Sequence, residues 1–321
     1  IDYQFRHSSG AENSQGLQFR LAKELGVAKR SCEPSDGGSP PNRRVTADAA
    51  FTYDDNVTRA RDDAGKLADK SFSVKATKEL EPIKLGHFSV VVSGTLGGEA
   101  FRRFSDLGHV FGEVQGELRY PAYGPKVALF ARGAVDHYKS QIRRGQTYSA
   151  GVVLQRNFTQ RGIGLTAQLA YNQRYGESGV FDLKDTSAQV GISYPLNKDL
   201  STGKTDVLYL AGEYRLGDVV STEKESLANL NIADVFVRDD AFDRNDLFSY
   251  RFNARTTAAT IGYIKPLASG HLDLSWTYTQ SSPTESSFPG AGSERYIDNQ
   301  FKLVYVLHFG TWNRMSRFRA Y

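Results

Sequence analysis

Apolar and polar side chains alternate with a period of two along most of this chain, in segments of about ten residues. From Val45 to Tyr53 every second residue is apolar or aromatic, and the residues between them are small or polar. Because successive side chains of a β-strand point to opposite faces, this pattern indicates a strand with one apolar face. Equivalent apolar faces begin at Phe88, Val110, Val127, Tyr148, Ile163, Ala188, Leu208, Tyr250, Leu272 and Phe301.

The number and length of these segments suit a membrane-spanning sheet. With weaker candidates at residues 1–8, 17–23 and 72–76, the pattern predicts about fourteen strands. A tilted strand needs about nine to eleven residues to cross a bilayer, which is the length of these segments. No apolar run approaches the roughly eighteen residues of a membrane helix, so the sequence excludes a helical membrane protein. The 17 Tyr, 19 Phe and 30 Gly also favour strands and turns.

The connections between successive segments alternate between short and long. "PAYGP" and "TQRG" are tight, whereas "YGESGVFDLKD" and "SSPTESSFPGAGSE" are long. An outer-membrane barrel has short periplasmic turns and long external loops, and closing the sheet leaves no unpaired edge in hydrocarbon. A soluble β-sandwich or lipocalin-like barrel also alternates, but it has no reason to keep its long loops at one end.

The sequence therefore predicts an all-β fold, a transmembrane antiparallel up-and-down β-barrel of about fourteen strands, with 12 to 16 as the range. We interpret residues 1–321 as one barrel domain. Within it, residues 1–44 would form N-terminal strands, a plug or a linker, and residues 310–321 a tail.

The stretch "FTYDDNVTRARDD", from Phe51 to Asp63, leads out of the first strong strand. Its apolar face is predicted to meet lipid, and Phe51 and Tyr53 to lie at the membrane interface, where amphipathic rings are enriched. The Asp, Asn and Arg residues that follow are predicted to form a loop standing in water outside the membrane.

Carrying the alternation through each strand assigns a set of charged residues to the inward face, called here the predicted lumen set. Its members are Asp48, Lys75, Glu113, Glu117, Arg119, Arg132, Asp136, Arg174, Glu213, Arg215, Arg251, Arg255, Asp273 and Lys302. Both signs are present, and Arg is the most frequent residue. A barrel of about fourteen strands is wide enough to hold water or a plug, since eight strands are already filled by side chains. These residues would line a pore or pair across strands to hold the wall.

Other chemistries find little support in the sequence. The six His residues have no metal-ligand spacing, and the single Cys32 gives no haem-attachment site. "LSTGKT" ends like a phosphate-binding loop, but Lys198 stands where the first glycine belongs. We therefore predict no enzyme activity, no catalytic residue, no metal and no cofactor. The net charge of +4 is small for this length and implies no nucleic-acid partner.

The alternating strands, the "YDDNVTRA" at the end of the first strong strand and the closing "FKLVYVLHF" resemble the porin-type bacterial outer-membrane β-barrel proteins. The last strand, which ends at Phe309, resembles the signal read by the barrel-assembly machinery, although "GTWNRMSRFRAY" follows it here. The strand count is also similar to that of the barrel of surface lipoprotein assembly modifiers. The resemblance implies a bacterial outer-membrane location, with outer-membrane lipid, lipopolysaccharide and the barrel-assembly machinery as partners.

Three functions are compatible with such a barrel. The first is a water-filled channel with a mixed-charge, Arg-rich lumen for small polar or charged solutes. The second is a translocation barrel for a protein or polysaccharide. The third is a scaffold around a periplasmic or extracellular protein partner, such as an electron-transfer protein.

Overall fold

The computed structural model describes residues 44–61, 65–80, 82–121, 125–158, 162–198, 205–224, 235–267, 269–284 and 295–309. The weak strand candidates at 1–8 and 17–23 and the tail at 310–321 lie outside these ranges.

Long antiparallel strands make up most of the described chain. They are β1 (Arg44–Asp54), β2 (Asp69–Glu79), β3 (Ile83–Leu85), β4 (Phe88–Phe101), β5 (His109–Pro121), β6 (Lys126–Tyr138), β7 (Gly145–Phe158), β8 (Ile163–Gly176), β9 (Leu183–Lys198), β10 (Thr205–Lys224), β11 (Val235–Arg238), β12 (Leu247–Pro266), β13 (Gly270–Pro283) and β14 (Tyr296–Phe309). Short 3-10 turns at Ser105–Leu107, Gln141–Arg143, Gly179–Phe181 and Asp240–Asn245 interrupt four of the connections.

These strands close into one barrel. β1 pairs with β2 on one side and β14 on the other, from Val45 opposite Phe309 to Asp54 opposite Gln300. Every other wall strand is likewise paired on both edges, and β10 pairs with β12. Twelve strands thus form the wall, and the short β3 and β11 lie beside it. The predicted all-β antiparallel barrel is confirmed; its fourteen strands include these two short ones.

The two strands outside the wall, β3 and β11, each pair with one wall strand only. β3 continues the edge of β2 after a break at Leu80, whose backbone N–H donates to the Val92 carbonyl at 2.8 Å. β11 pairs with β12 at a height where β13 has already ended. Beyond Gly217, β10 has likewise left β9, so residues 218–224 and 247–253 form a ribbon that projects past the wall, called here the β10–β12 ribbon.

Six connections lie at the end of the barrel to which this ribbon projects. They are loop 1 (55–68), loop 2 (102–108), loop 3 (139–144), loop 4 (177–182), loop 5 (225–246, which contains β11) and loop 6 (284–295). The shorter turns and both ends of the strand sequence lie at the opposite end. This arrangement is typical of outer-membrane barrels, in which the long loops face outward.

The outer face of the wall is a continuous apolar belt. Its exposed members include Phe51, Phe72, Leu96, Val110, Val114, Leu129, Val135, Leu169, Val190, Leu210, Ile261, Leu274 and Phe301. Directly opposed residues share a face, so the register keeps these side chains in one layer, for example Leu169 between Val152 and Ala188. An exposed apolar surface of this extent on a closed barrel is a surface that meets lipid.

Among the described residues, no helix is long and apolar enough to cross a membrane.

The orientation of the belt generates a prediction about stability. Leu169 lies in the middle of β8 with 55% of its surface exposed on the apolar belt. We expect Leu169→Arg to destabilise the folded barrel by about 2–4 kcal/mol, since it places a charge near the bilayer midplane. The measurement is reversible denaturant unfolding in lipid vesicles.

Ser73→Arg is the matched control. Ser73 is half-buried on the inward face of β2 and directly opposite Glu99, so the new charge meets a carboxylate and not lipid. Its unfolding midpoint should stay close to that of the unsubstituted chain. Equal losses at the two positions would contradict the assignment of faces.

Candidate functional site

The inward face of the wall carries many polar and charged side chains, with small apolar clusters between them. All but two members of the predicted lumen set lie on it, because they alternate with the exposed apolar belt. Several form cross-strand ion pairs: Lys75 Nζ lies 3.4 Å from Asp48 Oδ2, and Arg174 Nη1 lies 3.4 Å from Asp136 Oδ2. The first pair links the neighbouring strands β2 and β1, and the second links β8 to β6 across β7. Holding the wall together in this way was one of the two roles expected of them.

Other members of the set form small groups. Arg132 Nη1 lies 3.7 Å from Glu113 Oε2, and Arg119 Nε lies 2.7 Å from Glu117 Oε2. Arg215 lies between two carboxylates, 2.9 Å from Glu213 Oε1 and 3.7 Å from Asp185 Oδ1.

Asp273 and Lys302 complete the inward members of the set. The Tyr209 hydroxyl of β10 donates to Asp273 Oδ1 of β13 at 2.9 Å. Its ring reaches across the intervening β12 at Gly262, where a β-carbon would lie 2.1 Å from the Tyr209 Cζ. Lys302 is buried on β14, where it interacts with neighbouring residues. The inward face is thus closely packed around these groups.

Arg251 and Arg255 were assigned wrongly. Arg255 is exposed and directly opposite Leu216, which belongs to the apolar belt, so it lies on the outer face. Arg251 shares its parity and donates from Nη1 to the Gly179 carbonyl of loop 4 at 3.0 Å.

The error came from the first half of β12, where Tyr250, Phe252 and Ala254 were taken for a lipid-facing stripe. These three residues are buried and form a cluster with Val219. They lie partly in the β10–β12 ribbon, beyond the wall, where apolar residues pack against protein. Because side chains alternate between the two faces, one wrong assignment in a strand places all of its side chains on the opposite face.

Several inward carboxylates were missed because they lie near strand ends. Asp54, Asp69, Glu99, Asp185 and Asp298 are buried on the inward parity of their strands. Extending the alternation to the last residue of each strand would have found them. The inward carboxylates of the described wall therefore outnumber the inward cations. The carboxylates are Asp48, Asp54, Asp69, Glu79, Glu99, Glu113, Glu117, Asp136, Asp185, Glu213, Asp273 and Asp298, and the cations are Lys75, Arg119, Lys126, Arg132, Arg174, Arg215 and Lys302.

Residues 56–60 of loop 1 are buried and do not stand in water, contrary to the expectation for the polar residues of this loop; Asp62 and Asp63 lie outside the described residues. Asn56 is fully buried and Arg59 is 1% exposed. The Asn56 side-chain amide donates to the carbonyls of Ala60 and Ile297, both at 3.0 Å, and Thr58 Oγ1 donates to the Gly65 carbonyl at 2.8 Å. The polar side chains of loop 1 therefore satisfy its own backbone, so the loop can be buried.

The far side of loop 1 is fastened to the β10–β12 ribbon. The Thr222 backbone N–H donates to the Thr58 carbonyl at 2.9 Å, and the Ser221 hydroxyl donates to the Arg59 carbonyl at 2.7 Å. Arg61 Nε lies 3.4 Å from Glu223 Oε1, and its guanidinium lies 5.5 Å from the Tyr250 ring centroid. Loop 1 thus extends from β1 across to a strand that is not its neighbour in the wall.

Loops 2 and 5 also meet at this end of the barrel. The rings of Phe104 and Phe242 are 4.8 Å apart, within a buried cluster that also contains Val57 of loop 1 and Leu107. Phe104 follows β4 and Phe242 precedes β12, and these strands have four wall strands between them on the shorter way round. The cluster therefore lies across the mouth of the barrel.

A buried ion pair joins loops 3 and 5. Arg143 Nε donates to Asp239 Oδ1 at 3.2 Å, and Arg143 Nη2 donates to the second carboxylate oxygen. The guanidinium lies 5.7 Å from the Phe181 ring centroid and 5.3 Å from that of Phe242. We call this ion pair the Arg143–Asp239 latch. Through it, the Arg143 side chain connects loops 3, 4 and 5.

The electrostatics of the latch favour its charged form. Burial raises the pKa of Asp239, but the Arg143 charge and hydrogen bonds from Arg143 and Ser249 outweigh it, so the pKa lies below the ordinary 3.8. Desolvation of two charges is compensated here by good hydrogen-bond geometry.

One group of carboxylates could hold a cation by its geometry. Asp54, Asp55 and Asp298 each offer an oxygen, and these oxygens lie within 4.8 Å of one another. Hydrogen bonds already engage two of them: the Asn56 backbone N–H donates to Asp54 at 2.8 Å, and the Asn299 side-chain amide donates to Asp55 at 2.8 Å. In the described part of the chain this group therefore serves at least to fasten the start of loop 1.

The sequence matches no protein-family model. It also matches no curated protein at a significant level.

Solved structures with a similar fold are outer-membrane channels and porins. One is an outer-membrane channel from Pseudomonas putida F1, with 11% identity, a TM-score of 0.48, and 86% of this chain and 100% of that chain covered. The KdgM porin in complex with oligogalacturonate has 10% identity, a TM-score of 0.40, and 82% and 99% covered. The NanC porin has 9% identity, a TM-score of 0.40, and the same coverage of 82% and 99%. The closed wall, the apolar belt and the polar inward face make this chain an outer-membrane β-barrel protein.

Proposed function

We propose that this protein is a non-enzymatic channel for small polar or charged solutes, whose outer mouth is covered by its own loops. The observation that supports it is the inward face, which carries charged and hydroxyl-bearing side chains between small apolar clusters, although nothing in lipid requires polar groups there. Its half-buried residues, which keep some contact with water, include Ser73, Lys75, Thr77, Ser93, Thr95, Glu113, Gln115, Arg119, Ala211, Glu213 and Thr277.

The half-buried residues are unevenly distributed around the wall. Most are on β2, β4 and β5, whereas Thr147, Asn172 and Ser193 on β7 to β9 are fully buried. A passage through the barrel would therefore follow the β2–β5 side. Its lining of hydroxyls and paired charges suits hydrated small solutes.

The same distribution argues against the other two functions. A translocated polypeptide or an enclosed partner protein needs a wide lumen with accessible walls. The buried side chains on β7 to β9 leave no such room in the described structure. The channel is therefore the function that we favour.

The excess of inward carboxylates changes the expected ion preference. An Arg-rich lumen would favour anions, but two of the arginines in the predicted lumen set lie on the outer face. With more carboxylates than cations along the wall, the channel should prefer cations, since a charged lining attracts counter-ions.

The latch generates a prediction about conductance. We expect the double variant Arg143→Ala/Asp239→Ala to conduct more than the unsubstituted protein in planar bilayers, because loops 3, 4 and 5 lose their shared contact. Removing both partners avoids leaving one charge buried alone. The measurement is single-channel conductance at fixed voltage.

Its control is the ion pair of Arg238 with Asp246, which lies in the same loop but is exposed on both sides, 60% and 79%. Arg238→Gln/Asp246→Asn should leave conductance unchanged, since exposed pairs contribute little. If neither the unsubstituted barrel nor the latch variant passes ions, the channel proposal is wrong.

A second prediction concerns selectivity. Glu113→Gln/Glu213→Gln removes two half-buried carboxylates and leaves Arg132 and Arg215 with less neutralisation. The reversal potential in a salt gradient should shift toward anions, and more so at low salt, where screening is weak. Arg255→Gln, on the outer face, should not change it; an equal shift there would contradict the assignment of faces.

A third prediction concerns pH. Because the folded pKa of Asp239 is lower than its unfolded value, the latch contributes stability above the ordinary carboxyl pKa and loses it as pH falls through the lowered value. Conductance should therefore stay low from neutral pH down to 3.8 and rise only below it. A rise between pH 6 and about pH 5, above the ordinary carboxyl range, would show that another group controls the mouth.

A further inference from the structure

Four exposed cations lie along one side of the outer rim of the barrel. Lys70 is the second residue of β2, Arg102 and Arg103 are in loop 2, and Lys139 begins loop 3. These residues belong to neighbouring wall strands and the loops between them. We call them the outer basic patch.

The backbone of this patch is firmly fixed. Asp69 is buried, and its carboxylate accepts hydrogen bonds from the backbone N–H groups of Lys70 at 2.7 Å, Arg103 at 3.0 Å and Phe104 at 3.0 Å. The Arg102 N–H donates to the Lys70 carbonyl at 2.9 Å. One carboxylate thus holds the turn from which three of the four cations project.

Loop 3 is attached to the same frame. The Lys139 N–H donates to the Gly108 carbonyl at 3.1 Å, and the Ser140 N–H donates to the Asp106 carbonyl at 3.2 Å. A ligand bound by the patch would therefore order little backbone, which favours affinity.

The Arg103 guanidinium lies 5.1 Å from the centroid of the Phe104 ring, a contact that leaves its positive charge unneutralised. None of the four makes an ion pair with another described residue, in contrast to the arginines of the inward face. The exposed carboxylate in loop 2 is Asp106, so the patch keeps an excess of positive charge. Exposed cations that are fixed in place and unpaired suit an anionic partner.

The patch lies just beyond the apolar belt. Lys70 is directly opposite Tyr53 on the outer face, and the next outward residues toward the membrane centre are Phe72 and Phe51, which are 54% and 46% exposed. Aromatic side chains of this kind mark the membrane interface. The cations are therefore at the level of the lipid headgroups in the outer leaflet.

We propose that the outer basic patch binds the phosphate groups of lipopolysaccharide. Arginine and lysine are the side chains that recognise phosphate, arginine in a bidentate manner. The position of the patch at headgroup level favours a lipid-borne phosphate over a dissolved one. This inference does not depend on the channel function.

The test compares lipopolysaccharide binding by the full chain and the variant Lys70→Gln/Arg102→Gln/Arg103→Gln, in detergent at low salt. Binding should weaken by roughly tenfold to a hundredfold, because each surface cation contributes measurably to attraction by anionic lipid. The control Lys78→Gln/Lys84→Gln/Lys265→Gln removes the same charge from exposed positions at the other rim and should leave binding unchanged. A heat-modifiable gel shift checks that both variants are folded.

Three further probes distinguish the sources of phosphate. Dephosphorylated lipopolysaccharide should bind the unsubstituted chain as weakly as intact lipopolysaccharide binds the variant. Phosphatidylglycerol and inorganic phosphate should lose much less binding on substitution of the patch than lipopolysaccharide does, since they lack its cluster of phosphates. Equal binding of intact and dephosphorylated lipid, a patch-dependent preference for either of the other two probes, or equal losses in the two triple variants would overturn the proposal.

Discussion

Backbone hydrogen bonding in hydrocarbon is the constraint on which the whole structure depends. Unpaired N–H and C=O groups are costly where no water can reach them, so a sheet can span a membrane only when it has no edge. The pairing of β1 with β14 and of β10 with β12 meets this requirement. Closure then separates two surfaces that have opposite needs, an outer one that contacts lipid and an inner one that does not.

Because the inner surface does not contact lipid, it can carry charged side chains. Arg132, Arg174 and Arg215 are buried on the inward face, but each has a carboxylate of another wall strand nearby. Such pairs avoid the desolvation cost of an isolated charge, and they add side-chain links to the backbone ladder. The loop end follows the same rule, since Arg61 meets Glu223 and Arg143 meets Asp239. The buried charges of the described wall and loops therefore have a structural role.

The alternation of apolar and polar residues predicted the wall well. One face of each wall strand meets lipid, so every second residue within the membrane has to be apolar. It failed in β12, where the strand continues past the membrane and Tyr250 and Phe252 pack against Arg61 of loop 1. A period of two cannot tell a lipid-facing stripe from one that packs on a loop.

The burial of loop 1 also could not be predicted from the sequence. Its composition is that of a solvated turn, and the partners that bury Asn56 and Arg59 come from strands far along the chain. Likewise, no local pattern shows that Arg143 and Asp239, 96 residues apart, form a buried pair. Tertiary contacts between loops were therefore the part that could not be predicted.

The attachment of loop 1 has a consequence for assembly. Arg59 and Ser221, which fasten loop 1 to the β10–β12 ribbon, are separated by 162 residues. Contacts between such distant segments form late, because the intervening chain must be ordered first. Loop 1 is synthesised early, yet it has no docking surface until the last third of the wall is in place. The covering of the mouth is therefore a final step of folding, and a nascent barrel remains open on its outer side until its wall is complete.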